Sequence, residues 1–355
     1  MDLKETIKEL SDIYDRDSAN SFVSLYLNKK NYQKFLDKRI KAIKTVLKND
    51  EYTNFEKTIP NVLDLIKETN NENIAVFASS KYNFEKVISL PVKIDDLLVI
   101  DSSPYIRPLA RVYDEWESFT LVLISSNYAK IFEVSLGEIK DTKSLSKDIM
   151  NKHKKGGCSQ ARFNRLRRGA IQAFLTEVTE ELRKKVDNKI VVAGPGITKQ
   201  KFIEMLPKNI QEKIIDVIDV DVDDENKLLK QSFSLVSKRE KEQSSEAVQQ
   251  LKEEILKDGL AVYGIKETLE AVRNGQVELL LIKKDFKPKG WICENCQAVD
   301  EGFQKTCPYC NGKTSEVDVL EEILEFAERT DAKIEFADDE ELKDLGNVGG
   351  ILRFK

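Results

Sequence analysis

The sequence is poor in the residues that most often carry catalysis and cross-linking. It holds one histidine, His153, and five cysteines in 355 residues. Residues 1–116 contain no cysteine and no catalytic constellation. The cysteines are not laid out as an extracellular disulfide set, because four fall between 293 and 310 and the fifth, Cys158, stands alone. Long apolar runs are missing as well. Leu121 to Ile124 and Leu279 to Ile282 are among the longest, far short of the roughly 20 residues that cross a bilayer. The N-terminus, Met1-Asp2-Leu3-Lys4-Glu5-Thr6, lacks the basic-then-apolar order of a secretion signal. These absences predict a cytoplasmic protein with no membrane partner.

What the chain has is charge and length. Asp, Glu, Lys and Arg make up 34% of it, with a net charge of -5, and its length suits two or three domains. Against that negative balance, Lys152 to Arg168 holds seven Lys or Arg, the only histidine, and no Asp or Glu. A local reversal of sign is what a polyphosphate partner selects. Gly156-Gly157 sits inside this stretch and gives a backbone able to take positive φ and approach a ligand closely. Phe163, Leu166, Ala170, Phe174, Val178 and Leu182 then recur at three- and four-residue spacing, which predicts a helix to about Val186 with one apolar face.

The rest of the pattern predicts a mixed α/β (α+β) fold in three domains, over 1–116, 117–230 and 231–355. In the first, Leu3, Ile7, Leu10 and Tyr14 mark a helix. Strands are expected at 21–27, 73–78, near 87–92 and 97–101, with helices near 31–48 and 54–68. In the second, Phe119 to Ile124 and Ala129 to Val134 read as a hairpin, followed by a polar stretch from Ser135 to Met150. Ile190 to Ala193 is a buried strand ending in Gly194-Pro195-Gly196, a turn that suits either phosphate or plain chain reversal, with Thr198 as candidate N-cap of the next helix. Ile214 to Val222 closes this domain as a strand. Residues 223–258 read as one long helix or two, leading to a strand at 260–263, a helix at 265–274 stopped by Gly275, and a strand at 277–282. Ile351-Leu352 is expected to add an edge strand.

Within the third domain, Cys293-Glu294-Asn295-Cys296 and Cys307-Pro308-Tyr309-Cys310 are separated by ten residues. Two such pairs present four thiolates from two tight turns, which is tetrahedral geometry for zinc. Four sulfur ligands leave no open position for water, so a structural zinc knuckle over about 291–313 is expected, with Trp291 packed beside it.

The run Gly156-Gly157-Cys158-Ser159-Gln160-Ala161-Arg162-Phe163-Asn164-Arg165-Leu166-Arg167 resembles the Gly-Gly-Gln loop and following helix of the archaeal and eukaryotic class-1 peptide chain release factors. Ala193 to Lys199, Val262 to Ala271, Gly275 to Ile282 and the cysteine knuckle are similar to further parts of that family, so the resemblance runs from about 119 to the end. It implies one domain that reads the stop codon, one that carries the glycine loop into the peptidyl-transferase centre of the ribosome, and one that holds a translational GTPase or a recycling ATPase. It makes Lys152, Lys154, Lys155, Arg162, Arg165 and Arg168 candidate contacts for the phosphates of the tRNA acceptor end, with Gly156 and Gly157 passing close to the terminal adenosine; a catalytic reading adds Gln160, to position water or the 2′-hydroxyl, and Arg162, to stabilise developing negative charge.

Two departures qualify this resemblance. Counting back from Arg162-Phe163, the family's glutamine slot holds Cys158, and Gln160 lies two positions later. The Thr-Ala-Ser-Asn-Ile-Lys-Ser and Tyr-x-Cys-x-x-x-Phe motifs of the codon readers are absent from residues 1–116. The expectation is therefore a factor that separates the nascent peptide from peptidyl-tRNA without a stop codon, by ester hydrolysis or by cutting the tRNA acceptor end. The alternative is a non-catalytic ribosome-binding factor of the rescue or hibernation kind. A stop-codon-dependent termination factor ranks third. A Cys158 nucleophile would have only His153 as partner, with no acid to orient it.

Overall fold

Leu3, Ile7 and Leu10 recur at helical spacing, and the segment forms α1 (Leu3–Ser11), which buries them. The computed structural model describes residues 3–30, 32–116, 118–150, 158–185, 189–220, 225–293, 295–296 and 298–355, the side chains of 158–159 and 225–227 excepted. Two compact units emerge, one made of residues 1–115 with 241–355 and the other of 116–240.

In the first unit, α1 is followed by β1 (Phe22–Asn28), α2 (Gln33–Val46), α3 (Asn49–Glu68), β2 (Asn73–Ser79), β3 (Phe84–Leu90), β4 (Leu97–Asp101) and α4 (Arg107–Glu115). The strands form an antiparallel sheet in the order β3-β2-β1-β4. One face of it, through Val23, Leu25, Ile74 and Val76, packs on Phe55, Ile59, Val62 and Ile66 of α3. The expected strands and helices of this segment are present, with α3 starting earlier than its apolar pattern suggests. Its first turn is polar, and Asp50 and Glu51 there complement the helix N-terminus.

The second unit runs β5 (Phe119–Ile124), β6 (Tyr128–Ser135), β7 (Glu138–Ser146), α5 (Cys158–Arg183), β8 (Lys189–Ala193), α6 (Thr198–Met205), α7 (Lys208–Gln211) and β9 (Ile214–Ile218). The sheet order is β7-β6-β5-β8-β9, antiparallel from β7 to β5 and parallel from β5 to β9. β5 and β8 are apolar throughout because both their faces are covered. Val122, Ile124, Ile190 and Val192 meet Phe174, Val178, Leu182 and Phe202 on one side. Leu121, Leu123 and Val191 meet Leu228 and Val236 on the other. Part of the polar stretch 135–150 is strand β7, whose only buried residue is Leu145. An edge strand facing water carries no apolar alternation to betray it.

Helix α8 (Glu225–Leu256) is one continuous element of 32 residues. Leu228 and Val236 enter the core just described, whereas Val248 and Leu251 pack with Leu281, Leu342 and Ile351 of the first unit.

The C-terminal part of the first unit contains β10 (Ala261–Tyr263), α9 (Ile265–Arg273), β11 (Val277–Lys283), β12 (Lys289–Cys293), β13 (Val299–Glu301), β14 (Thr314–Asp318), α10 (Val319–Arg329), β15 (Lys333–Ala337), α11 (Glu341–Asp344) and β16 (Val348–Leu352). Its main sheet has the order β10-β16-β11-β15. The final strand is therefore central, not the edge strand expected. Gly349 admits it: a Cβ there would lie 2.8 Å from Leu251 Cδ2 and 2.9 Å from Val262 O. Contacts of α10 with α1 and of α4 with β15 join residues 1–115 to this part. Among the described residues, no helix is long and apolar enough to cross a membrane.

Candidate RNA-contacting helix and metal centre

Helix α5 is 26 residues long, about 39 Å at the α-helical rise. The strands it covers are shorter: β8, at 5 residues, spans only about 17 Å. The helix outruns its sheet. Its C-terminal half buries Phe174, Leu175, Val178 and Leu182, all at 1% exposure or less. In its N-terminal half Phe163 is 40% and Leu166 52% exposed, so the apolar face expected from 163 onward first meets the core at the partly buried Ile171 and is fully buried from Phe174.

The exposed half carries the residues read as functional. Arg162, Arg165 and Arg168 are exposed, whereas Gln160, Asn164 and Arg167 are half-buried. The second set is spaced i, i+4, i+7 and shares one helical face; Arg167 Nε donates to Met150 O at 3.1 Å. Gln160 and Arg162, two positions apart, are separated by about 200° around the axis. Sequence reading did not single out Asn164 or Arg167, although their spacing from Gln160 was the available signal. Lys152, His153, Lys154, Lys155, Gly156 and Gly157 lie outside the described residues, as does the side chain of Cys158.

At the other end of β8, the glycine turn is closed by a lysine. Lys199, 3% exposed, donates to Gly194 O and Gly196 O, each at 3.0 Å, and pairs with Asp219. Gly194 cannot be replaced without movement, since a Cβ there would fall 2.0 Å from Ile124 O. The carbonyls of this turn converge on an ammonium, which is the opposite of a phosphate cradle built from N–H groups. Thr198 is not the N-cap. Ile197 occupies that position with no side-chain bond, and Thr198 is the first helical residue.

The four knuckle cysteines come together as their spacing requires. Cys293 ends β12, which is flanked in a three-stranded sheet by β13 and β14. The Sγ atoms of Cys293, Cys296, Cys307 and Cys310 all lie within 4.8 Å of one another. Cys293 to Cys310 is 3.4 Å and Cys296 to Cys307 is 3.6 Å. Tetrahedral zinc with sulfur at 2.3 Å sets its ligands about 3.8 Å apart, so the donor set fits a metal ion. Backbone N–H groups support the sulfurs, Cys296 N to Cys293 Sγ and Tyr309 N to Cys307 Sγ at 3.4 Å each. A Cβ on Gly312 would sit 3.2 Å from both Cys293 Sγ and Cys310 Sγ. Trp291 packs with Cys293 and Cys307, as expected.

Two family models match the chain, "Bacterial archaeo-eukaryotic release factor family 10" over residues 104–233 and "eRF1 domain 3" over 241–355. Peptide chain release factor subunit 1 of Methanocaldococcus jannaschii is 30% identical, with 82% of this chain and 81% of the relative covered. The same protein of Thermococcus sibiricus is 26% identical over 100% of this chain and 97% of its own length. Among solved structures, the S. cerevisiae translation termination-like factor Dom34 aligns with 99% of this chain and 91% of its own, at 12% identity and a TM-score of 0.45.

Proposed function

The chain belongs to the archaeal and eukaryotic class-1 peptide chain release factor family, as a divergent member, and on that basis we propose that it enters the ribosomal A site and separates the nascent chain from peptidyl-tRNA without reading a stop codon. The observation that carries this is the order of residues about α5: Gly156-Gly157, Cys158 in the glutamine slot, then Arg162, Arg165 and Arg168 exposed on a helical half that stands clear of its core. Residues 1–116 act as a reduced domain without codon reading, 117–230 carry the loop to the peptidyl-transferase centre, and 231–355 hold a translational GTPase or a recycling ATPase. The protein works in the cytoplasm.

In this reading Lys152, Lys154, Lys155, Arg165 and Arg168 neutralise phosphates of the tRNA acceptor end, and Gly156-Gly157 let the backbone pass the terminal adenosine. Gln160 orients water, or the 2′-hydroxyl, against the ester. Arg162, read both as a phosphate contact and as a stabiliser of developing charge at the ester, stands about 200° around the helix from Gln160 and close to Arg165, and its phosphate role is the one this arrangement supports. Cys293, Cys296, Cys307 and Cys310 hold zinc, which supplies structure and no open coordination position.

The substitution at Cys158 favours a second reading, a non-catalytic A-site occupant of the rescue or hibernation kind. Incubation with ribosomes carrying peptidyl-tRNA and an empty A site, followed by separation of free peptide, intact tRNA and shortened tRNA, discriminates the two. Release that disappears in Gln160→Ala and rises in Cys158→Gln is expected. Tight ribosome binding with no turnover sinks the catalytic reading, and release confined to stop codons sinks the role given to residues 1–116.

A further inference from the structure

The cysteine knuckle buries one aromatic ring and displays two others. Its small core is Trp291, 5% exposed, with Cys293 and Cys307. Phe303 and Tyr309 take no part in that core. At 74% and 69% exposure they are, among the described residues, the two most exposed aromatic side chains. Single apolar residues scattered over a surface are ordinary. Two whole rings set out on one short tip are a concentrated feature that the packing does not use.

The backbone beneath the rings is fixed. Tyr309 N donates to Cys307 Sγ at 3.4 Å, Cys307 N to Gly312 O at 2.8 Å and Asn311 N to Cys307 O at 3.0 Å. Asn311 turns the chain at a φ of +55°, and Thr306 forms an antiparallel bridge with Lys313. Next to Phe303, Gln304 O accepts the Thr314 hydroxyl. A side chain presented on a turn already held in place costs little backbone freedom on binding.

The surroundings select the partner. Residues 302–315 contain Lys305 and Lys313, both exposed, and no Asp or Glu. Gln304, Thr306 and Asn311, exposed as well, add hydrogen-bonding groups. Zinc bound by four thiolates carries two negative charges in excess, which the two lysines offset, so the contact must come mainly from the rings. That favours unpaired bases, whose faces are open to stack, over a duplex, whose bases are stacked on one another and which offers chiefly phosphate and sugar. Two rings on an otherwise polar tip also fall short of the apolar centre of a protein–protein interface. We propose that Phe303 and Tyr309 form a stacking platform for unpaired RNA bases, with Lys305 and Lys313 on the adjoining phosphates. The platform rests on the ribosome-binding reading only for where such bases are met.

A short oligouridine carrying one 5-iodouracil, photocrosslinked to the zinc-loaded full chain, tests it, with mass spectrometry of the digest identifying the side chain joined to the base. Crosslinks at Phe303 and Tyr309 are expected with the single strand and not with the same strand annealed to oligoadenosine. Phe303→Ala should move half-saturation of the Tyr309 crosslink to about 5- to 100-fold higher RNA concentration, and Phe303→Tyr should restore it. Because Phe303 lies outside the knuckle core, zinc content should be the same in all three chains. Crosslinks confined to other segments, α5 among them, overturn the platform. A Tyr309 crosslink that ignores Phe303→Ala, or that forms equally with the duplex, overturns it too. The short RNA needs no ribosome, so these failures spare the A-site reading, whereas crosslinks at both rings uphold the platform even if ribosomes are left unbound.

Discussion

Arg107 Nη1 lies 2.9 Å from Asp318 Oδ2, joining positions 211 residues apart in the sequence, with the side chains 6% and 20% exposed. Arg107 also donates to Phe286 O. Truncating the arginine leaves a poorly solvated aspartate and a carbonyl without their donor. Arg107→Ala should cost about 3–5 kcal/mol, the usual loss when one partner of a buried pair is removed. Urea denaturation followed by far-ultraviolet circular dichroism measures it, and a loss below about 1 kcal/mol, typical of a surface pair, would show that the contact is idle.

Removing the metal should loosen β12 to β14 first. Cys293 and Cys307 are buried there against Trp291, so a strong chelator should shift tryptophan emission to the red and open the 293–313 segment to protease. Cys307→Ser should reproduce both effects without chelator. Elemental analysis before treatment should find about one zinc per chain. An unchanged cleavage pattern in a chain proven to be metal-free would count against the centre.

Gly194 and Gly196 make a matched pair of tests. A Cβ on Gly194 strikes Ile124 O at 2.0 Å, while one on Gly196, where φ is +61°, meets nothing within 4 Å. Gly196→Ala should therefore cost only the left-handed backbone strain, about 1 kcal/mol. Gly194→Ala must move a strand and should cost more than about 2 kcal/mol. Urea midpoints rank the two, and equal losses would refute the steric account.

The exposed arginines should act additively through charge. Each of Arg162→Ala, Arg165→Ala and Arg168→Ala should weaken RNA or ribosome binding. Each should also reduce the slope of log affinity against log salt by about 0.7–0.9, one phosphate contact apiece. Binding titrations from low to moderate salt provide the slopes. A variant that weakens binding at unchanged slope would assign its arginine a packing role.

The sequence made the cluster of four cysteines legible because its chemistry is local: two cysteine pairs specify their own turns. The sheets were legible where both faces are covered, as in β5 and β8. Other features depend on neighbours distant in the chain. The apolar spacing through Phe163 and Leu166 predicts burial, yet nothing in it says that the sheet beneath ends before they are reached. Gly349 and Gly350 stand just before Ile351-Leu352, the pair read as an edge strand. They are instead the positions where β16 passes between β10 and β11, close to Leu251 and Val262. The acids of α10 pose the same difficulty in reverse. Glu321, Glu322 and Glu325 resemble a solvated face, and only the fold supplies the backbone amides, hydroxyl and guanidiniums that make their burial tolerable.

The first unit is assembled from two stretches of chain with the whole of 116–240 inserted between them. During synthesis Arg107 emerges 211 residues ahead of Asp318, an interval on the order of 10–40 s at ordinary elongation rates. For that time Tyr105, Ile106 and Arg107 have no partner from α10, while the intervening unit has all of its own strands to hand. The intervening unit can therefore pair its own strands before the contact between residues 101–107 and α10 can form at all.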